Sequence, residues 1–206
     1  MESCRRNGLQ VAFLVCLCVA MGGCVSPRSP SPDYYLLIAR SESGQQTLTG
    51  KTLGIGPVRV APFLDRPQMV IHSADGHITL AERHRWAEPL DRGIQRVMEQ
   101  NLAALTGATT RNFPWTRATV PDLALRLDIL ELNRDNGGNA VLEASWVLED
   151  LAGNRLLASG RERLIQPLDE VARSYPSLAS AYSLLLDTLA RTLALTLERT
   201  AAADGP

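Results

Sequence analysis

Three histidines, His72, His77 and His84, are the side chains in this chain best suited to hold a metal. Their separations of five and seven residues do not place them on one helical face. His72 and His77 flank a predicted turn and could approach each other, but no His-Glu-x-x-His pattern accompanies them. A serine nucleophile would sit in a Gly-x-Ser-x-Gly elbow, and Ala158-Ser159-Gly160 fails that test because Leu157 stands where the first glycine belongs. Gly54-Ile55-Gly56 has two of the three glycines of a dinucleotide loop, yet Pro57-Val58-Arg59-Val60 continues as a strand instead of opening a helix. The segment therefore reads as a strand irregularity. The carboxylates Glu82, Glu88, Asp91, Asp128, Glu131 and Glu143 are scattered, and solvation is their default role. No set combines nucleophile, base and orienting group, so the expectation is a binding or structural protein without catalytic residues, metal or cofactor.

One cysteine carries a different chemistry. Arg5 and Arg6 precede an apolar run from Val11 to Met21, which is too short to span a bilayer and has the form of a signal peptide. The run ends in Met21-Gly22-Gly23-Cys24, which resembles a lipobox, with Met21 in place of the usual Leu. A peptidase cutting there needs small side chains beside the scissile bond, which Gly22 and Gly23 provide. Cys16 and Cys18 have bulky neighbours, so Cys24 is the expected lipidation site. An ordinary cleaved signal peptide and an uncleaved amphipathic anchor are the alternatives; no polar face accompanies the apolar run to favour the anchor. Arg5-Arg6 also fits a twin-arginine route, but nothing downstream suggests a cofactor inserted before export.

Loss of residues 1–23 removes Arg5, Arg6 and Glu2 and leaves 19 basic and 21 acidic residues, a near-neutral balance that argues against a nucleic-acid partner. It also removes every cysteine except Cys24, so the mature chain has no thiol pair for a disulfide or thiolate site. The remaining 183 residues suffice for one domain with a full core.

The elements that must carry any site follow from periodicity. Residues 24–33 contain three prolines and no apolar pattern, and are expected to be a leash reaching roughly 28 Å, holding the domain near a membrane without lying in it. A domain over residues 34–200 and a disordered tail over 201–206 complete the expected organisation. Tyr34 to Ile38 and Thr52 to Ala61 read as strands. Met69 to His72 and His77 to Leu80 read as a hairpin about Asp75-Gly76. Leu90, Ile94, Val97, Met98, Asn101, Leu102 and Leu105 predict a helix, begun near Pro89 and stopped by Gly107. Alternation predicts strands over Leu123–Ile129, Leu142–Leu148 and Arg155–Ile165, followed by a helix from about Ser177 to Arg199 with a stripe of Leu178, Tyr182, Leu185, Leu189 and Leu193. The expected fold class is α+β: a single domain with a largely antiparallel or mixed sheet and two main helices packed on one face.

Several short motifs in register carry a family likeness. The lipobox cysteine, Tyr34-Tyr35-Leu36-Leu37, Val58-Arg59-Val60-Ala61-Pro62-Phe63-Leu64-Asp65-Arg66 and Arg85-Trp86-Ala87-Glu88-Pro89-Leu90 before a helix together resemble the ABC-type transport auxiliary lipoproteins, the PqiC group. Phe63 stands where Tyr is common. The resemblance covers essentially the mature chain. It implies a non-enzymatic lipoprotein anchored by lipid in the outer membrane and facing the periplasm. It also implies, as partners, an MCE-domain periplasmic protein and its ABC/permease inner-membrane complex, with phospholipid and a homo-oligomer as further possibilities. The turn between Pro62 and Pro67, with Phe63, Leu64, Asp65 and Arg66, is the candidate contact surface, together with Trp86; a core role for Phe63, Leu64 and Trp86 is the competing reading. Val25 directly after Cys24, where an Asp would signal inner-membrane retention under the enterobacterial rule, points to the outer membrane. A pilot lipoprotein for an outer-membrane machine and a lipid-anchored hydrolase remain as alternative functions.

Overall fold

The computed structural model describes residues 30–73, 75–168 and 174–203. The expected signal peptide, Cys24 and most of the leash lie outside these residues. From Pro32 onward the chain forms one compact unit, and its described residues make eight strands and two helices: β1 (Asp33–Tyr35), β2 (Thr52–Val60), β3 (Gln68–His72), β4 (Ile78–Trp86), α1 (Leu90–Thr106), β5 (Thr109–Asn112), β6 (Leu123–Arg134), β7 (Ala140–Asp150), β8 (Arg155–Gln166) and α2 (Tyr175–Ala203). The class is α+β, as the periodicities indicate. Neither helix is long and apolar enough to cross a membrane.

The strands form two sheets, ordered β1-β4-β3 and β5-β2-β6-β7-β8. β6, β7 and β8 form an antiparallel meander because Asp135–Asn139 and Asp150–Asn154 give tight returns between strands of alternating pattern. β2 instead runs parallel to both β5 and β6. The larger sheet is therefore mixed, within the expected class: β3, β4 and α1 intervene after β2, and that long crossover returns the chain in the same direction. β5 has no alternating pattern and pairs at the sheet edge, so periodicity does not mark it.

Helix α1 buries each residue of its predicted stripe, from Leu90 through Leu105. Gly107 ends it in the left-handed region (φ 72°), and its N–H donates to Ala103 O at 2.9 Å. Helix α2 buries Leu178, Tyr182, Leu185, Leu189 and Leu193. It begins two residues before the expected Ser177 and continues through Ala203, so the boundary expected at residue 200 falls inside the helix. The two helices pack against each other and on one face of the larger sheet, α1 over β2 and β5, α2 over β7 and β8. Facing them are Leu125, Leu127 and Ile129 of β6 and Leu142, Ala144, Trp146 and Leu148 of β7, all buried. Trp146 lies over Gly160 of β8, where a Cβ would come within 2.7 Å of the indole ring. The outer face carries cross-strand ion pairs, Arg126 to Glu149 (2.9 Å), Arg161 to Glu143 (2.5 Å) and Arg163 to Glu131 (2.5 Å).

The strand expected over Tyr34–Ile38 is shorter than its sequence suggests. Pairing with β4 ends at Tyr35, and the next backbone donors turn to helix side chains. Ile38 N–H donates to Ser183 Oγ (3.1 Å), and the N–H groups of Arg40 and Ser41 both donate to Asn101 Oδ1 (2.9 and 3.1 Å). These bonds meet the hydrogen-bonding requirement that a sheet ladder would otherwise fill.

Candidate functional site

The predicted loop Pro62–Pro67 joins β2 to β3 and is held from both sides. Ala61 N–H donates to Ile129 O (2.9 Å), and Leu64 N–H turns back to Ala61 O (2.8 Å). Trp86 N–H, at the end of β4, donates to Pro67 O (2.7 Å). Loop and α1 entrance thereby form two walls of a surface cleft of about 370 Å³, lined by Asp65, Arg66, Pro67, Trp86, Glu88 and Pro89 among others.

The five residues singled out by resemblance divide here. Leu64 is buried in the core, and Trp86 is buried beside Tyr182 with ring centroids 6.2 Å apart. Phe63 is half-buried and meets the His72 ring edge-on at 5.4 Å. Asp65 is exposed, and the Arg66 Nε is buried without a hydrogen-bond partner among the described residues. Asp65, Arg66 and Trp86 thus share the cleft, while Leu64 turns into the core and Phe63 packs against it.

The cleft wall at Glu88 was not marked by residue type alone. Its carboxylate pairs with Arg96 of α1 at 2.5 Å, and the same Arg96 nitrogen donates to Leu37 O at 2.9 Å. Glu88 folds over Gly93, where a Cβ would lie 3.1 Å from Oε1. One arginine therefore fixes the mouth of α1 and the segment that leads into the domain. The Glu88–Arg96 spacing of eight residues across a helix start is the sequence signal that could have found it.

The histidines do not converge. His72 Nε2 lies 3.8 Å from Glu131. His84 Nδ1 is 2.9 Å from Tyr35 Oη and 3.7 Å from Asp33, and its ring stacks on Tyr175 at 3.9 Å. His77 sits in the β3–β4 turn, where its N–H donates to Asp75 Oδ1 (3.1 Å). Among the described residues no cluster of three or more His, Cys, Asp or Glu is placed to hold a metal. Each of the six scattered carboxylates has an arginine beside it: Glu82 with Arg85, Glu88 with Arg96, Asp91 with Arg92, Asp128 with Arg59, Glu131 with Arg163, and Glu143 with Arg161. Ser159 is exposed on β8, opposite Val147 of β7. Gly54 and Gly56 lie within β2, where the register with β6 shifts between Ile55 and Val58. Gly56 takes φ 124° there, and the Trp115 indole packs against Gly54.

These elements define a small α+β domain of two helices on a mixed sheet, with a surface cleft where the loop after β2 meets the first helix. The chain belongs to the ABC-type transport auxiliary lipoprotein component family, whose model matches residues 34–194. It is accordingly an auxiliary lipoprotein of the cell envelope, associated with an ABC-type transport system. Two solved structures, each 17% identical with a TM-score of 0.66, share the fold. One is an uncharacterized protein, 99% of which is covered by 82% of this chain; the other is a Xanthomonas campestris protein of family DUF330, 98% of which is covered by 84%. No protein with a curated description matches significantly.

Proposed function

We propose that the protein is cleaved before Cys24, lipidated on that residue and tethered to the outer membrane, where it faces the periplasm as a non-enzymatic accessory of an MCE-type lipid transport system. Its partner is the MCE-domain protein that an inner-membrane ABC/permease complex drives, and phospholipid is the cargo of the assembly. The observation that carries this reading is the family match, which begins at Tyr34, ten residues after the Gly22-Gly23-Cys24 sequence. Val25 supports the outer-membrane assignment. The segmentation into signal peptide (1–23), lipidated leash (24–33) and domain belongs to the same proposal.

The cleft beside Asp65, Arg66 and Trp86 is the surface we assign to the MCE-domain partner. It combines the exposed Asp65 carboxylate and the Arg66 guanidinium with apolar lining from Pro67, Trp86 and Pro89, the mixture expected of a specific protein contact. A photo-crosslinking residue at Asp65 tests this in cells, with the same residue at exposed Ser159 as the control. Crosslinks from position 65 to the MCE-domain protein are expected. Crosslinks to components of an outer-membrane secretion or assembly machine instead would replace this reading with the pilot one.

A further inference from the structure

The first residues of the domain present their apolar side chains the wrong way round for a solvated strand. Along Tyr34–Ile38 exposure alternates strictly: Tyr35 is half-buried and Leu37 is 2% exposed, whereas Tyr34, Leu36 and Ile38 are 61%, 51% and 57% exposed. Three large apolar groups therefore stand in a row about 13 Å long on one side of an extended segment. Isolated exposed apolar residues are ordinary, but a row of three at successive outward positions is a contiguous patch.

The row is rigid. Leu37 is locked beneath it, its carbonyl held by Arg96, and Ile38, Arg40 and Ser41 are bonded to Ser183 and Asn101. Cations stand at both ends. Arg85, which also lies 3.8 Å from the Glu82 carboxylate, is the register partner of Tyr34 on β4, and Arg40 follows Ile38, with its guanidinium on Ser180 Oγ at 2.8 Å. Near Tyr34, the Asp33 carboxylate lies 3.7 Å from His84, so it faces a partner of its own. Tyr and aliphatic groups flanked by arginines match the headgroup boundary of a bilayer, where the ring sits at headgroup level and the guanidinium reaches lipid phosphates.

The chain outside the described residues says which surface is within reach. Tyr34 lies only ten positions after Cys24, so even a fully extended leash spans at most about 36 Å, and the row is its first folded stretch. We propose that Tyr34, Leu36 and Ile38 dock on the anionic phospholipid surface to which Cys24 is attached, so that the domain lies against the membrane instead of hanging clear of it. Lipid attachment supplies the proximity, and the apolar row with its arginines supplies orientation, through the raised effective concentration of a tethered site. The inference rests on the proposed lipidation of Cys24.

The test uses the mature lipidated chain in vesicles of phosphatidylethanolamine and phosphatidylglycerol. With Cys24 acylated, a cysteine introduced by Leu36→Cys is the single free thiol, and it is spin-labelled; Ser159→Cys is the control on the sheet. Both sites are exposed, so labelling leaves the core intact. Flotation with the vesicles reports the anchor independently. The expected result is that the label at position 36 relaxes more with oxygen than with a water-soluble nickel complex, with the reverse at position 159. Protein that floats while both labels behave as water-exposed overturns the docking and leaves lipidation standing. Protein that does not float overturns the lipidation, and the docking with it. Dipolar broadening between labels at position 36, with water-like accessibility, would assign the row to a second copy and overturn the membrane contact.

Discussion

Asn133 of β6 holds His72 of β3 at two points: its Oδ1 accepts from the His72 N–H at 3.0 Å and its Nδ2 donates to the His72 carbonyl at 2.9 Å. The side chain is 3% exposed and acts as a one-residue strand partner between the two sheets. Asn133→Ala leaves both backbone groups without that partner, and is expected to cost about 1–3 kcal/mol. Urea unfolding of the purified protein checks it, and an unchanged midpoint would mean that water replaces the amide at no cost.

The α2 stripe is a core element. Leu189 is fully buried on α2, the helix that packs against α1, β7 and β8. Leu189→Ala should cost about 2–5 kcal/mol through lost transfer energy and the cavity left behind. A helix reserved for a partner would instead keep its thermal midpoint and lose complex formation alone.

Tyr182 sits fully enclosed in α2, and burial pushes its phenol far above the usual range. Its hydroxyl has no hydrogen-bond partner among the described residues. Removing an unsatisfied buried group is nearly neutral or stabilising, so Tyr182→Phe is expected to hold or raise the thermal midpoint. A clear drop would show that the hydroxyl is bonded.

Asp122 and Thr52 close a reciprocal pair at the starts of β6 and β2. The Asp122 carboxylate accepts from Thr52 N–H (2.7 Å) and Oγ1 (2.8 Å), and Thr52 Oγ1 accepts from Asp122 N–H (2.8 Å). The backbone bond from Thr52, then its hydroxyl, holds the carboxyl pKa below the ordinary 3.8. A lowered folded-state pKa means the unfolded chain binds the proton first as pH falls. The contribution is therefore complete above the ordinary value and lost as pH drops from there through the folded one. Asp122→Asn should lower the thermal midpoint at pH 7, and the gap to the parent protein should narrow in acid below that value. A gap constant with pH would remove the carboxylate from the account.

Cys24→Ala should leave an uncut precursor that does not incorporate labelled palmitate. Each buried methylene contributes ~0.8 kcal/mol and stable anchoring takes two signals, so the several acyl chains of a lipoprotein hold it in place. Palmitate incorporation by the alanine variant would sink the assignment of Cys24. Sucrose-gradient fractionation of the parent protein tests the outer-membrane placement, which co-migration with inner-membrane markers would reverse.

Local sequence determined which residues become helix and strand wherever one face is buried. The α1 stripe from Leu90 to Leu105, the α2 stripe from Leu178 to Leu193 and the alternation along β6 and β7 record burial within a few residues of chain. The hairpin about Asp75-Gly76 and the stop at Gly107 were legible because backbone geometry restricts which residues fit there. The family likeness was legible for a different reason, from motifs held in order along the chain. Tertiary structure alone decided the parallel pairing of β2 with β5 and β6, the early end of β1 and the division into two sheets. It also decided which residues of Pro62–Pro67 face the cleft: Leu64 turns into the core while Asp65 stays in water. Each of these depends on a partner far away in sequence, such as Ser183 for Ile38, Asn101 for Arg40 or Asn133 for His72. Periodicity can report that a side chain or backbone group must be covered, but the residue that covers it is fixed only when the chain closes on itself.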